Sequence, residues 1–292
     1  MDGTEVDGSE AEPALAAELA RVADRSAAQM SAENFPVALR LLPRRPRTHL
    51  VSVYHYARFV DDVGDEADGD RLAMLDRIEQ DVRALAVGAA ALPAVAALAP
   101  VIADCRVPLE PFLDLVEANR VDQRVARYET FDDLLGYCRL SAAPVGRIVL
   151  HIAGAASEQN IALSDPLCAG LQVLEHCQDV GEDARAGRTY LPAAELRLAG
   201  VEPADLTAAA TAPQLRRVIA TQVERTDALF ETGRPLVHRL HGWARVAVAG
   251  FLAGGQATAA ALRAADFDVL ARAVRPGKLR TFASAARLMA GR

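Results

Sequence analysis

Apolar residues along this chain recur at steps of three and four rather than two, and that period holds from about residue 10 onward. No segment shows the strict alternation of a half-buried strand, and valine- or threonine-rich runs between turns are missing. The pattern predicts an amphipathic helix over 10–31, then a short helix that starts at Asn34 and Pro36 and ends by Pro43. After "RRPR" (44–47), Thr48 is expected to cap a long helix running through "RFVDDVGDEA" (58–67). Further helices are predicted near 70–85, 107–125, 130–155, 164–185, 213–232 and 242–265, separated by proline- or glycine-rich turns. The uncharged, alanine-rich stretch 84–103 is interrupted by Pro93 and Pro100 and reads as a helical hairpin rather than a membrane span. No stretch has the length or composition of an interdomain linker. The expectation is an all-α protein: one domain over 13–292, with ten or more helices, behind an acidic stretch 1–12 expected to be disordered.

Composition narrows the function classes. The chain has 292 residues, of which 51% are hydrophobic and 24% charged, enough to bury a substantial core. A net charge of −7 argues against a nucleic-acid partner. The four cysteines (Cys105, Cys138, Cys168, Cys177) are scattered in apolar surroundings and read as small buried hydrophobes, not as ligands or bridges. The N-terminus has neither the basic nor the apolar region of a signal peptide, so the reading is a reduced cytoplasmic protein, with peripheral contact at the inner membrane face left open. "RRPR" reads as a solvated basic turn, the alternative being a phosphate or anionic-lipid contact.

The candidate chemistry lies in two acidic stripes. On its predicted helix, Tyr54, Arg58, Asp61, Asp62 and Asp65 follow steps of four, three, one and three and share one side, while valines, alanine and Phe59 wrap the rest. So apolar a helix is largely buried, and its polar stripe must face a slot or a polar cavity. In "LCAGLQVLEHCQDVGEDARAGRTYLP" (167–192), Gln172, Glu175, Asp179, Glu182 and Asp183 repeat the arrangement. Each segment thus carries a D-x-x-x-D pair, Asp61/Asp65 and Asp179/Asp183. Like charges at i and i+4 cost about 0.2–0.5 kcal/mol when unpaired. A hard divalent cation reverses that sign: Mg²⁺ takes one or two carboxylates together with phosphate oxygens. Arg58 within the first stripe, and Arg185 and Arg188 after the second, suit the same diphosphate. The plainer readings are solvated faces with local ion pairs, His176 as a packed polar residue, and Gly187 and Arg188 as a helix end.

With these residues in view, "YHYARFVDDVGDEAD" and "LQVLEHCQDVGEDARAGRTYLP" resemble the two signature segments of the squalene/phytoene synthase family. "YCRLSAAPVGRIVL" (137–150) is similar to its tyrosine-to-glycine segment, and "ENFPVALRLLPRRPR" (33–47) to its entry helix, in the right order from about residue 30 to 280. The resemblance implies the isoprenoid synthase fold, a helical bundle around a deep central pocket with its acidic stripes at the mouth. It implies Mg²⁺ at Asp61, Asp65, Asp179 and Asp183, and the stripes themselves add Asp62 and Glu175 as further candidate ligands. It implies contacts of Arg58, Gln172, Arg188 and the C-terminal Lys278 with diphosphate or the metal shell, to which the position after the second stripe adds Arg185. Tyr54, Tyr137 and Tyr190 would line the reaction chamber, with Phe35 and Asn34 at its entrance. "AENF" replaces the usual serine-rich element, and Glu175 stands where most relatives have asparagine. Both features resemble the hydroxysqualene-forming branch of bacterial hopanoid biosynthesis. The implied reaction turns presqualene diphosphate and water into hydroxysqualene and diphosphate. Condensation of two prenyl diphosphates is the runner-up, and a non-catalytic assembly factor the reading from another class. Implied partners are the prenyl or presqualene diphosphate, other enzymes of the pathway and a membrane surface that takes up the product.

Overall fold

Most described helices in this chain begin where a proline has no N–H to satisfy or where a short polar side chain accepts from one of the first N–H groups, as Asp70, Thr130 and Ser157 do. The structure, a computed structural model, describes residues 8–32, 42–275 and 288, with the main chain alone at 8–11 and 27–32. The short helix expected after Asn34 lies outside the described residues. Every regular element among the described residues is helical, and the one extended feature is a bridge between Arg127 and Thr189.

By their contacts the elements fall into two compact units, residues 1–123 and 124–292. The first holds α1 (Gly8–Ala32), α2 (Arg44–Glu66), α3 (Arg71–Ala84), α4 (Pro93–Ala96), α5 (Ala99–Cys105) and α6 (Glu110–Asp122). Helix α2 is its hub, packed on α1, α3 and α6. It starts earlier than expected: Pro43 is the N-cap residue, and Pro46 sits in the first turn, where a missing N–H costs nothing. Thr48 is therefore inside the helix, its hydroxyl donating to the Arg44 carbonyl at 3.1 Å. Val53, Phe59, Val60 and Val63 of α2 are buried, each worth about 1.5–3 kcal/mol of transfer. Tyr56 is buried with them; its hydroxyl donates to the Phe112 carbonyl at 2.8 Å and its ring meets Phe112 edge-on. The expected hairpin over 84–103 is made of short pieces, because the Asp81 carboxylate accepts from Ala91 and Leu92 N–H and turns the chain there.

The second unit holds α7 (Phe131–Ser141), α8 (Ala143–Ile152), α9 (Glu158–Gln178), α10 (Val180–Arg185), α11 (Ala193–Ala199), α12 (Pro213–Gly233), α13 (Leu236–Arg239) and α14 (Gly242–Ala264). Helix α9 is central, lying along α12 and touching α7, α8 and α14. A capping box of Thr130 and Asp133 starts α7. The single helix expected over 130–155 is broken at Ala142, since Pro144 cannot give an N–H to the preceding turn. The helix expected over 164–185 starts earlier, at Glu158, and is interrupted at Asp179. Cys138 and Cys177 are buried, and burial pushes both thiols up to about 12. No described helix is long and apolar enough to cross a membrane.

Candidate active site

The first stripe lies on α2 and divides by direction. Asp61 and Asp65 are exposed, whereas Asp62 is 4% exposed and turned toward α1. One Asp62 oxygen meets Arg58 Nε at 2.9 Å and the other accepts from the Ser26 hydroxyl. Asp62, expected among the metal ligands, thus departs from the exposed pair: one residue further round the helix, its carboxylate faces the packed side. Asp61 accepts from the Asn119 amide of α6 at 3.1 Å. That contact depends on Gly64, where an added Cβ would meet Asn119 Oδ1 at 2.0 Å. Gly64 therefore sets how closely α6 approaches α2. Asp61 is poorly hydrated despite its exposure, and its carboxyl is pushed up to about 6. Lost hydration is the main cause, with Asp65 and Asp62 adding to it and Asn119 and Arg58 opposing it. Tyr54 is half-buried on the same helix.

The second stripe crosses the break between α9 and α10 without losing register. Asp179 N–H donates to the Glu175 carbonyl, and Asp183 N–H to the Asp179 carbonyl, both at 2.9 Å. Asp179 is pushed up to about 6, first by lost hydration, then by Glu175, Asp183 and Glu182, with His176 opposing. Just past the end of α10, Gly187 takes φ +81°, which only glycine adopts freely, and Arg188 N–H closes onto the Asp183 carbonyl at 2.8 Å. The Arg188 backbone therefore fills the plainer role of a helix end, and it carries the half-buried side chain.

Beside this stripe sits an aromatic cluster that sequence spacing did not reveal. The Arg127–Thr189 bridge sets the next residues, Tyr128 and Tyr190, face to face at 5.8 Å. Tyr137 lies 5.3 Å from Tyr128 and 5.4 Å from Tyr190. His176 stacks on Tyr190 at 3.8 Å. Its Nε2 is 3.4 Å from Gln172 Nε2, and its Nδ1 3.8 Å from Asp183 Oδ2. The buried imidazole thus links residues of the stripe to the tyrosines. Its only signal in sequence was a polar residue on the apolar side of the stripe.

Two cavities in the second unit adjoin the stripe. One, of about 230 Å³, is lined by apolar side chains of α8, α9 and α14, among them Val145, Val149, Leu171 and Phe251, and by Gln172 and Glu175. The other, of about 290 Å³, brings Arg185, Arg272 and Arg275 together with Asp179 and Glu182. Phe35, Asn34 and Lys278 lie outside the described residues. Among the described residues no three acidic, histidine or cysteine side chains converge as a ready-made metal cage. Each stripe by itself nevertheless offers the hard oxygen donors that Mg²⁺ takes, Asp61 with Asp65 in the first unit and Asp179 with Asp183 in the second.

The sequence profile described as "Squalene/phytoene synthase" matches residues 28–280. A hydroxysqualene synthase of Rhodopseudomonas palustris is 38% identical over 208 residues, covering 70% of each chain. Among solved structures, squalene synthase HpnC from Alicyclobacillus acidocaldarius is 41% identical with a TM-score of 0.77, over 86% of this chain and 96% of that one. A dehydrosqualene synthase solved with a ligand, 21% identical, shares the fold with a TM-score of 0.80 over 95% and 98%.

Proposed function

The chain belongs to the squalene/phytoene synthase family, enzymes of prenyl diphosphates, and from that premise we propose that it converts presqualene diphosphate and water to hydroxysqualene and diphosphate. One observation carries the reading. A single helix face passes from the apolar pocket at Leu167 and Leu171, through Gln172 and Glu175, to Asp179 and Asp183. That gradient matches a ligand with a long hydrocarbon body and a charged diphosphate head. Asp61, Asp65, Asp179 and Asp183, with Glu175, are the residues that would hold Mg²⁺. Bound there, the cation supplies positive charge that stabilises the leaving diphosphate. Arg58, held by Asp62, together with Gln172, Arg185 and Arg188, offers donors for diphosphate oxygens. Val149, Leu150, Leu167 and Leu171 line the apolar part of this pocket, the hydrocarbon wall that would face the carbocation while it rearranges. The relative from Rhodopseudomonas palustris, named a hydroxysqualene synthase, supports the choice of product.

The test is to give the purified protein presqualene diphosphate and Mg²⁺ without NADPH. Hydroxysqualene should form, with its hydroxyl oxygen drawn from ¹⁸O-labelled water. Efficient conversion of farnesyl diphosphate into a thirty-carbon product would instead place the protein among the condensing members of the family.

A further inference from the structure

Ser141 closes α7 and lines the apolar pocket with Gln172 and Glu175 of α9. Most other lining side chains are hydrocarbon, and the remaining hydroxyl and thiol, Ser164 and Cys168, lie 3.9 Å apart and answer each other. The Ser141 hydroxyl oxygen is buried yet makes no hydrogen bond to any described protein group. Buried polar atoms without a protein partner are as a rule satisfied by an ordered water, which needs two to four polar neighbours. Such neighbours line the same pocket. With Nε2 of Gln172 toward His176, its carbonyl oxygen is left to accept, and the Glu175 carboxylate is a second acceptor.

We propose that Ser141, with Gln172 and Glu175, positions the water molecule that captures the carbocation, and that this hydroxyl directs the reaction to an alcohol. The proposal rests on the hydroxysqualene reading above. In the step it describes, the carbon–oxygen bond to diphosphate breaks and the electron pair leaves with diphosphate. A lone pair of the held water then forms the new carbon–oxygen bond at the rearranged cation. The resulting oxonium gives its extra proton to the departed diphosphate, the base that the reaction itself releases. Ester and water become alcohol and hydrogen diphosphate, with nothing oxidised or reduced. Where no water is held, the same cation ends by losing a proton from a neighbouring carbon, and the product is a hydrocarbon with a further double bond. Ser141 is thus a positioning residue that acts on the cation through water.

Three variants test it: Ser141→Ala, Ser141→Thr and Ser141→Val. Threonine and valine share one shape and differ by the hydroxyl, so any disturbance of packing is common to both. Each is incubated with presqualene diphosphate and Mg²⁺, and the ratio of hydroxysqualene to hydrocarbon is read by mass spectrometry. In Ser141→Ala and Ser141→Val the ratio should fall by about tenfold, the scale of one lost hydrogen bond. In Ser141→Thr hydroxysqualene should stay the main product. An unchanged ratio in the alanine and valine variants, or equal ratios for threonine and valine, overturns the proposal. A wild-type protein that makes no alcohol at all overturns the hydroxysqualene reading instead, so the two failures are distinguishable.

Discussion

Asp61 and Asp62 are adjacent in sequence but about a hundred degrees apart around α2, and that rotation gives them opposite energetic signs. Asp62 is buried against Arg58 and Ser26, so Asp62→Ala removes a buried charged acceptor that both use and should cost about 1.5–3 kcal/mol, or about 3–10 °C in Tm. Asp61 and Asp179 lose hydration and also sit among like charges, and their carboxyls rise from an ordinary 3.8 to about 6. A carboxyl whose pKa is raised by folding favours the folded state when protonated. Its contribution is complete below about 4 and is lost as pH rises through about 6. Asparagine mimics the protonated form. Without metal and above pH 6, Asp61→Asn and Asp179→Asn should therefore raise Tm by about 0.5–2 °C, from the about 0.2–0.5 kcal/mol of an i,i+4 repulsion. Below about pH 4 the gain should vanish. Thermal scans across this range decide it, and a gain independent of pH would mean that charge is not its source.

At the scale of elements, hydrophobic period located most helices, because burial of one face is what stabilises them. It was weaker where a single main-chain event ends an element. The break before Pro144 was missed although "SAAPVG" carries the proline that makes it, and the Asp179 break left no signal, since hydrogen bonds at 175–179 and 179–183 continue through it and keep the side-chain register. The start of α2 was misplaced because a threonine cap competes with proline in the first turn, and proline prevails. Helix–helix distance is set by residues that carry no such signal. Gly64→Ala would drive a Cβ into Asn119 of α6, against Oδ1 at 2.0 Å and Cγ at 2.9 Å. It should cost about 1–3 kcal/mol, as overpacking does. Combined with Asn119→Ala, the loss should be smaller than the sum of the two single losses, because the second change removes the obstructing atoms. Strict additivity in denaturant titrations would show that the two helices are not coupled through this contact.

For the whole molecule, the two acidic stripes were legible in the sequence, because helical spacing fixes which carboxylates lie near one another on a helix. The inward turn of Asp62, the Asn119 contact, the stacking of His176 on Tyr190 and the unpartnered Ser141 hydroxyl were not, because each depends on a second element distant in the chain. Overall charge makes the remaining prediction. A chain with 32 basic and 39 acidic side chains, net −7, repels an anion such as diphosphate on average. The exposed carboxylates at Asp61 and Asp65 on one stripe, and at Glu175 on the other, sharpen that repulsion locally. Inorganic diphosphate alone should therefore leave Tm almost unchanged, and Mg²⁺ with diphosphate should raise it. At a concentration of about 100 times Kd the linkage is about 2.7 kcal/mol, or about 5–10 °C. Asp65→Asn and Asp183→Asn should each lose most of that gain, and EDTA should abolish it in the wild type. A full gain in either variant would remove that aspartate from the metal site. A gain from diphosphate that survives EDTA would assign anion binding to the arginines alone, leaving the carboxylate stripes without the role argued for them.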